Sequence, residues 1–133
     1  MNKELLPRPT WDMREFWEGC RRKVLRFQKC RACGHVRWPP ANLCPQCHSF
    51  EAEWIESSGK GKIYSYVIYH MAFHPYWKDK TPYVVAVVEL DEGVRMPTNI
   101  VGASFEELKC DAPVEVVWDE AGEYFVPRFK LIR

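Results

Sequence analysis

The chain has 133 residues, 47% of them hydrophobic and 14% aromatic, which is enough for a packed core and too much for a disordered chain. No apolar run approaches the ~20 residues that cross a bilayer, and the opening Met1–Pro7 is too short and too soon broken by proline for a secretory signal, so a cytoplasmic protein is expected. The net charge of +1 is uneven: residues 1–40 hold ten lysines and arginines against four acidic residues (+6), the remainder nine against fourteen (−5), which does not suit a general nucleic-acid binder.

Residues 1–10 read as an extended, proline-punctuated arm. A helix is expected from about Asp12, with Glu15 three residues on as a capping-box-like pair. Met13, Phe16, Trp17, Cys20, Val24 and Phe27 recur at spacings of three and four and make one apolar stripe. Arg14, Arg21, Arg22 and Lys23 lie off that stripe, as a solvated basic face or as a docking face for a partner or an anionic ligand. Arm and helix together are assigned residues 1–28.

Residues 29–58 form a metal module. Cys30-Arg31-Ala32-Cys33-Gly34 and Cys44-Pro45-Gln46-Cys47 are two CxxC knuckles, with ten residues between Cys33 and Cys44. Each knuckle is a tight turn whose sulfurs face one point, and Gly34 suits the positive φ that follows such a turn. In a reducing compartment this spacing points to metal rather than to disulfides. Four thiolates in a tetrahedron suit zinc, or a single iron as in rubredoxin. With no coordination position left for water or substrate, the expected cofactor is one structural Zn²⁺ on Cys30, Cys33, Cys44 and Cys47, and the site carries a charge of −2. His35 and His48 are expected as loop histidines beside the metal, Cys20 as core, and Cys110 as a packed or free thiol.

A partly alternating strand over 50–56 and the turn Ser57-Ser58-Gly59-Lys60-Gly61 lead into β-type sequence over 59–133. Strands are expected over 62–71, 83–90, 94–101, 113–119 and 123–131, with a helical turn near Phe105–Leu108. Five strands in so short a segment fit a closed barrel of the OB type, so the chain is expected to be mainly β. The connection Tyr69-His70-Met71-Ala72-Phe73-His74-Pro75-Tyr76-Trp77 is dense in aromatics and either covers its own barrel or offers a binding edge. No nucleophile–base set, paired-carboxylate site or phosphate-cradling loop stands out, so no catalytic residue is expected.

The order of these pieces resembles a family of small bacterial and archaeal proteins with an N-terminal helix, a rubredoxin-like zinc ribbon and a C-terminal OB-fold. The matching stretches are Phe16-Trp17-Glu18-Gly19, the two knuckles with Trp38-Pro39-Pro40 between them, and Gly59-Lys60-Gly61-Lys62-Ile63-Tyr64-Ser65-Tyr66. They continue with His74-Pro75, Pro82 to Arg95, Asn99-Ile100-Val101-Gly102, Pro113-Val114-Glu115-Val116 and Pro127-Arg128-Phe129. His48 and Asp111 stand where glycine is common in the family. The resemblance implies a non-catalytic partner of a thiolase-fold protein acting on acyl-CoA thioesters, with the OB part lying over the CoA entrance. Lys60, Lys62, His74, Tyr76, Trp77 and Arg95 are then the candidate contacts to the partner or to CoA. The alternative is a module binding single-stranded nucleic acid, for which ribbons and OB-folds are also used. A third possibility is a redox protein with iron on the four sulfurs.

Overall fold

The computed structural model describes residues 7–132, apart from the side chain of Tyr76, so most of the expected arm over 1–10 lies outside the described residues. A 3₁₀ turn at Trp11–Met13 opens into helix α1 (Arg14–Arg21). The expected capping pair does not form. Asp12 accepts a hydrogen bond from Thr10 Oγ1 at 2.5 Å, and the Glu15 carboxylate meets Arg26 Nη1 at 2.9 Å.

The helix is also shorter than its apolar stripe. Lys23 takes a left-handed φ of 61°, its N–H bonds to the Cys20 carbonyl at 3.0 Å, and the Val24 N–H bonds to the Gly19 carbonyl at 2.8 Å. That pair of bonds is a Schellman stop. Gly19 permits it, because a Cβ there would lie 2.7 Å from the Val24 carbonyl oxygen. Val24 and Phe27 therefore leave the helix. Phe27 reaches the same core from strand β1 (Arg26–Cys30), where it is fully buried.

β1 is the centre of a three-stranded antiparallel sheet, flanked by β2 (Val36–Arg37) and β3 (Ala52–Glu56). All three strands meet at Gln28, paired with Arg37 and Trp54, and at Lys29, paired with Val36 and Glu53.

The remaining strands are β4 (Lys60–Tyr69), β5 (Tyr83–Leu90), β6 (Arg95–Ile100), β7 (Pro113–Ala121) and β8 (Tyr124–Leu131). They close a barrel in the order β4-β5-β6-β8-β7, as expected, with a 3₁₀ turn at Phe105–Glu107. Neighbours pair antiparallel except β6 and β8, which meet in parallel at Ile100 and Phe129. β5 shows why the sequence takes this form: Val84, Ala86, Val88 and Leu90 point inward and are buried, while the residues between them face outward. Gly61 is required where β4 crosses β5, since a Cβ would collide with the Glu89 carbonyl oxygen.

Ribbon side and barrel share one core. Phe16 and Cys20 of α1, with Leu25 and Phe27, pack in the same cluster as Ile63, Val88, Leu90, Val114 and Phe129 of the barrel. The junction is also hydrogen-bonded: the Ser57 N–H reaches the Leu25 carbonyl at 2.7 Å. Glu92 accepts from Ser57 Oγ at 2.6 Å and from the Ser58 N–H at 3.0 Å. Among the described residues no helix is long and apolar enough to cross a membrane.

Candidate metal centre and docking surface

The two knuckles are built alike. The Cys30 N–H bonds to the His35 carbonyl at 2.8 Å, and the Gly34 N–H returns to the Cys30 carbonyl at 2.9 Å. In the second knuckle the Cys44 N–H bonds to Ser49 and the His48 N–H to Cys44, both at 2.9 Å. The position after each knuckle is left-handed, at φ 81° for Gly34 and 65° for His48. The second knuckle therefore keeps its shape at the cost of holding a histidine where glycine would be unstrained.

This geometry brings the four cysteine sulfurs within 4.8 Å of one another. Cys30 Sγ lies 3.5 Å from Cys47 Sγ, and Cys33 Sγ lies 3.6 Å from Cys44 Sγ. A tetrahedral site with metal–sulfur bonds of about 2.3 Å needs sulfurs about 3.8 Å apart, so the cluster fits one metal ion. No histidine joins it, and His35 and His48 stay in their loops. Cys30 and Cys44 are buried, whereas Cys33 and Cys47 are exposed at the rim.

The electrostatics ask for a cation. The Cys33 N–H, with that of Ala32 and the neighbouring thiols, lowers the Cys30 thiol to about 6 despite its burial. Burial pushes the Cys44 thiol up, but the N–H groups of Cys47 and Gln46 outweigh it and the net direction is down. Cys47 goes the other way. The Ser49 N–H favours its thiolate, but the Cys30 sulfur and burial win and push it up to about 12. Sulfurs this close cannot all ionise unless a positive charge sits among them, and a divalent metal removes that conflict. All four ligand positions are filled by sulfur, so such a metal holds structure and has no place for substrate.

The candidate contacts belong to the barrel strands and the loop after β4, Arg95 lines a pocket shared with the ribbon residues His35 and Pro45, and most of them are already engaged. Lys62 Nζ lies 3.7 Å from Glu89 and 3.6 Å from Asp111. Arg95 lies 3.7 Å from the same Glu89, with its guanidinium 3.8 Å over the Tyr64 ring. Trp77 stacks on Tyr83 at 4.3 Å. His74 is half-buried and starts the turn at Pro75–Trp77, while the side chain of Tyr76 lies outside the described residues. Lys60 is exposed at the start of β4. The basic helix face is partly consumed as well: Arg21 lies over the Tyr124 ring at 4.9 Å and Lys23 over the Phe125 ring at 4.6 Å. Cys20 is core, as expected, and burial pushes its thiol up to about 12; Cys110 is exposed.

Two surface features extend beyond the residues singled out from the sequence, although Trp77 and the aromatic connection from Tyr69 take part in them. The first is a cleft of about 390 Å³ lined by Phe16, Trp17, Trp38, Trp77, Tyr83 and Arg128 among others. It draws aromatics from the helix, the ribbon and the barrel, so no local spacing announces it. The second is an apolar outer surface: Val67 and Tyr69 of β4, then Met71 and Phe73 of the following loop, are exposed, the last two at 67% and 76%.

Two family models match. Residues 17–53 match the ChsH2 rubredoxin-like zinc ribbon domain, and residues 54–119 match the ChsH2 C-terminal OB-fold domain. The chain belongs to the ChsH2 zinc-ribbon and OB-fold family. Within this family, the chain of a solved structure described as an Ltp2-ChsH2(DUF35) aldolase superposes with a TM-score of 0.84 at 38% identity, covering 94% of this chain and 98% of that one. A probable enoyl-CoA hydratase alpha subunit of Thermomonospora curvata is 40% identical over 131 residues, 96% of this chain but only 40% of its own length. A DUF35 domain-containing scaffold protein of Methanothermobacter thermautotrophicus is 37% identical over 100 residues, 74% of each chain. Benzoylsuccinyl-CoA thiolase subunit BbsA of Thauera aromatica is 31% identical over 96 residues, 72% of this chain and 64% of that protein. The chain thus spans well under half of the hydratase subunit that it matches along nearly its whole length.

Proposed function

We propose that the chain is a non-catalytic, zinc-binding accessory subunit of a thiolase-type enzyme acting on acyl-CoA thioesters, and that it helps to form or cover the CoA site of that enzyme. The observation that carries this reading is the exposed apolar run Val67, Tyr69, Met71 and Phe73 on a barrel that belongs to the ChsH2 family. A solvent-facing strand and loop ordinarily alternate with polar residues, and so large an apolar surface marks an interface. The closed four-sulfur site supports a structural rather than a chemical role for the metal. The names of relatives, a benzoylsuccinyl-CoA thiolase subunit and an enoyl-CoA hydratase subunit, supply the substrate class.

In this reading the apolar run and Trp77 face the partner. Lys60 is the cation best placed for a CoA phosphate, since Lys62 and Arg95 would first have to leave Glu89. His74 and Tyr76 would join the contact from the same loop. Co-purification from the native host tests the proposal: a stoichiometric thiolase-fold protein is the expected companion, with its acyl-CoA activity dependent on this chain. Recovery of no such protein, or full activity without this chain, would sink it. The nucleic-acid alternative has the stacked Trp77 and Tyr83 in its favour, yet Lys62, Arg95 and Arg128 each stand beside a carboxylate. A salt-dependent shift with single-stranded oligonucleotides would be its mark.

A further inference from the structure

Arg37 is an anomaly that neither the fold nor the proposed partner explains. It sits on β2, is only 5% exposed, and takes part in no ion pair among the described residues. An arginine is charged at every accessible pH, and a buried charge is costly unless something opposes it. Its hydrogen bonds go to neutral groups. Nε donates to Gln28 Oε1 at 2.9 Å and Nη2 donates to the Ala41 carbonyl at 2.9 Å, while Nη1 is buried without a partner.

The groups it does hold lead to the two knuckles. Gln28 is its rung partner on β1, two residues before Cys30, hence about 7 Å along the strand from that ligand. Gln28 Oε1 also accepts from the Ala41 N–H at 2.8 Å. Ala41 lies three residues before Cys44, in the loop that carries the chain from the first knuckle to the second. Gln28, Arg37 and Ala41 therefore form one closed hydrogen-bonded unit that fixes the distance between the strand feeding Cys30 and the loop feeding Cys44. Four thiolates around a divalent metal carry −2, an opposing charge on the same small module.

We propose that Arg37 is the positioning residue of the metal centre: its guanidinium clasps Gln28 and Ala41 so that the two knuckles meet, and its buried charge offsets that of the metal-bound thiolates. Clasp and charge separate by substitution. Arg37→Met keeps the unbranched stem of the side chain and loses both roles. Arg37→Lys keeps the charge and loses the planar fork. Gln28→Leu keeps the charge and breaks the clasp.

The test uses the purified full chain and two readouts that do not depend on any partner. One is the zinc dissociation constant, from competition with a chromophoric chelator. The other is the reduction potential of the same protein loaded with iron in place of zinc, which senses charge near the sulfurs. Arg37→Met is expected to weaken zinc by roughly tenfold or more and to make the iron potential more negative. Arg37→Lys and Gln28→Leu are expected to weaken zinc while leaving the potential near that of the parent. An unchanged potential in Arg37→Met overturns the charge role, and parental zinc affinity in Gln28→Leu overturns the clasp. If Arg37→Met does not fold, Gln28→Leu decides: parental zinc affinity overturns the proposal, and weakened zinc affinity supports it.

Discussion

The ribbon and the barrel solve the same problem of stability by different means. Between residues 31 and 51 only Arg37, Pro40 and Cys44 are buried, so the ribbon has almost no core of its own and its two knuckles are joined through sulfur. The barrel buries an inward row on each of β5, β6 and β8 and closes on itself through ladders. Metal coordination is local and needs few residues, whereas a barrel needs many residues in register. The lesson is that the first region should fail all at once when a single ion leaves, and the second should fail by degrees as methyl groups are removed.

The largest effect expected is that of chelation. Structural zinc in such modules is worth about 10–16 kcal/mol of apparent binding energy, so stripping it should unfold residues 30–50 and leave the barrel ladders standing. Hydrogen exchange read peptide by peptide checks this, and protection lost equally in β5 and β1 would erase the distinction. Phe129→Ala is the complementary change. It empties a fully buried site where β6 and β8 meet and should cost about 3–5 kcal/mol in denaturant unfolding. The zinc content of the variant below its transition should stay at one equivalent.

Smaller changes sharpen the boundary between the two regions. Glu92→Ala removes the acceptor for Ser57 Oγ and the Ser58 N–H at the junction and should cost about 1–3 kcal/mol, with ribbon and barrel then melting further apart in temperature. His48→Gly relieves a left-handed histidine and should gain about 1 kcal/mol in the metal-loaded protein, measured as a higher melting temperature. The last effect shows only at alkaline pH. Burial raises the Cys20 thiol from 9.0 to about 12, so its contribution is full below pH 9 and is lost as pH rises through 12. A thiol reagent at pH 8 should label Cys110 and leave Cys20 untouched in the native protein; equal labelling would show that α1 opens readily.

The barrel and the metal ligands could be read from the sequence because their signals are local. The nearly continuous apolar run over 83–90, the turn after it and the two CxxC knuckles each need only a few adjacent residues. The helix was harder. Phe27 falls at helical spacing from Phe16 and Cys20, yet reaches the shared core from β1, because the chain turns at Lys23 without a glycine to mark the stop. His48 and Asp111 do stand at glycine-type positions with positive φ, where the resemblance places them. The state of the candidate cations was not readable. Whether Lys62 and Arg95 are free depends on Glu89 of the neighbouring strand and on Asp111, whose N–H bonds to the Ile63 carbonyl beside Lys62. The aromatic cleft was hidden for the same reason, since Trp17, Trp38, Trp77 and Tyr83 meet only after three segments have packed.

The shared core has a consequence for synthesis. All four metal ligands have been made by residue 47, and the ribbon sheet is complete at residue 56, so this half can be loaded and folded while the rest is still being translated. Phe16 and Trp17 cannot be covered then. Part of their cover comes from Phe129, Tyr124 and the cleft wall at Val126 and Pro127, which are translated only after the whole ribbon and most of the barrel. Helix α1 must wait for strand β8. During that interval the nascent chain presents an uncovered aromatic face, which is when a chaperone, or a partner already at hand, would have its chance to bind.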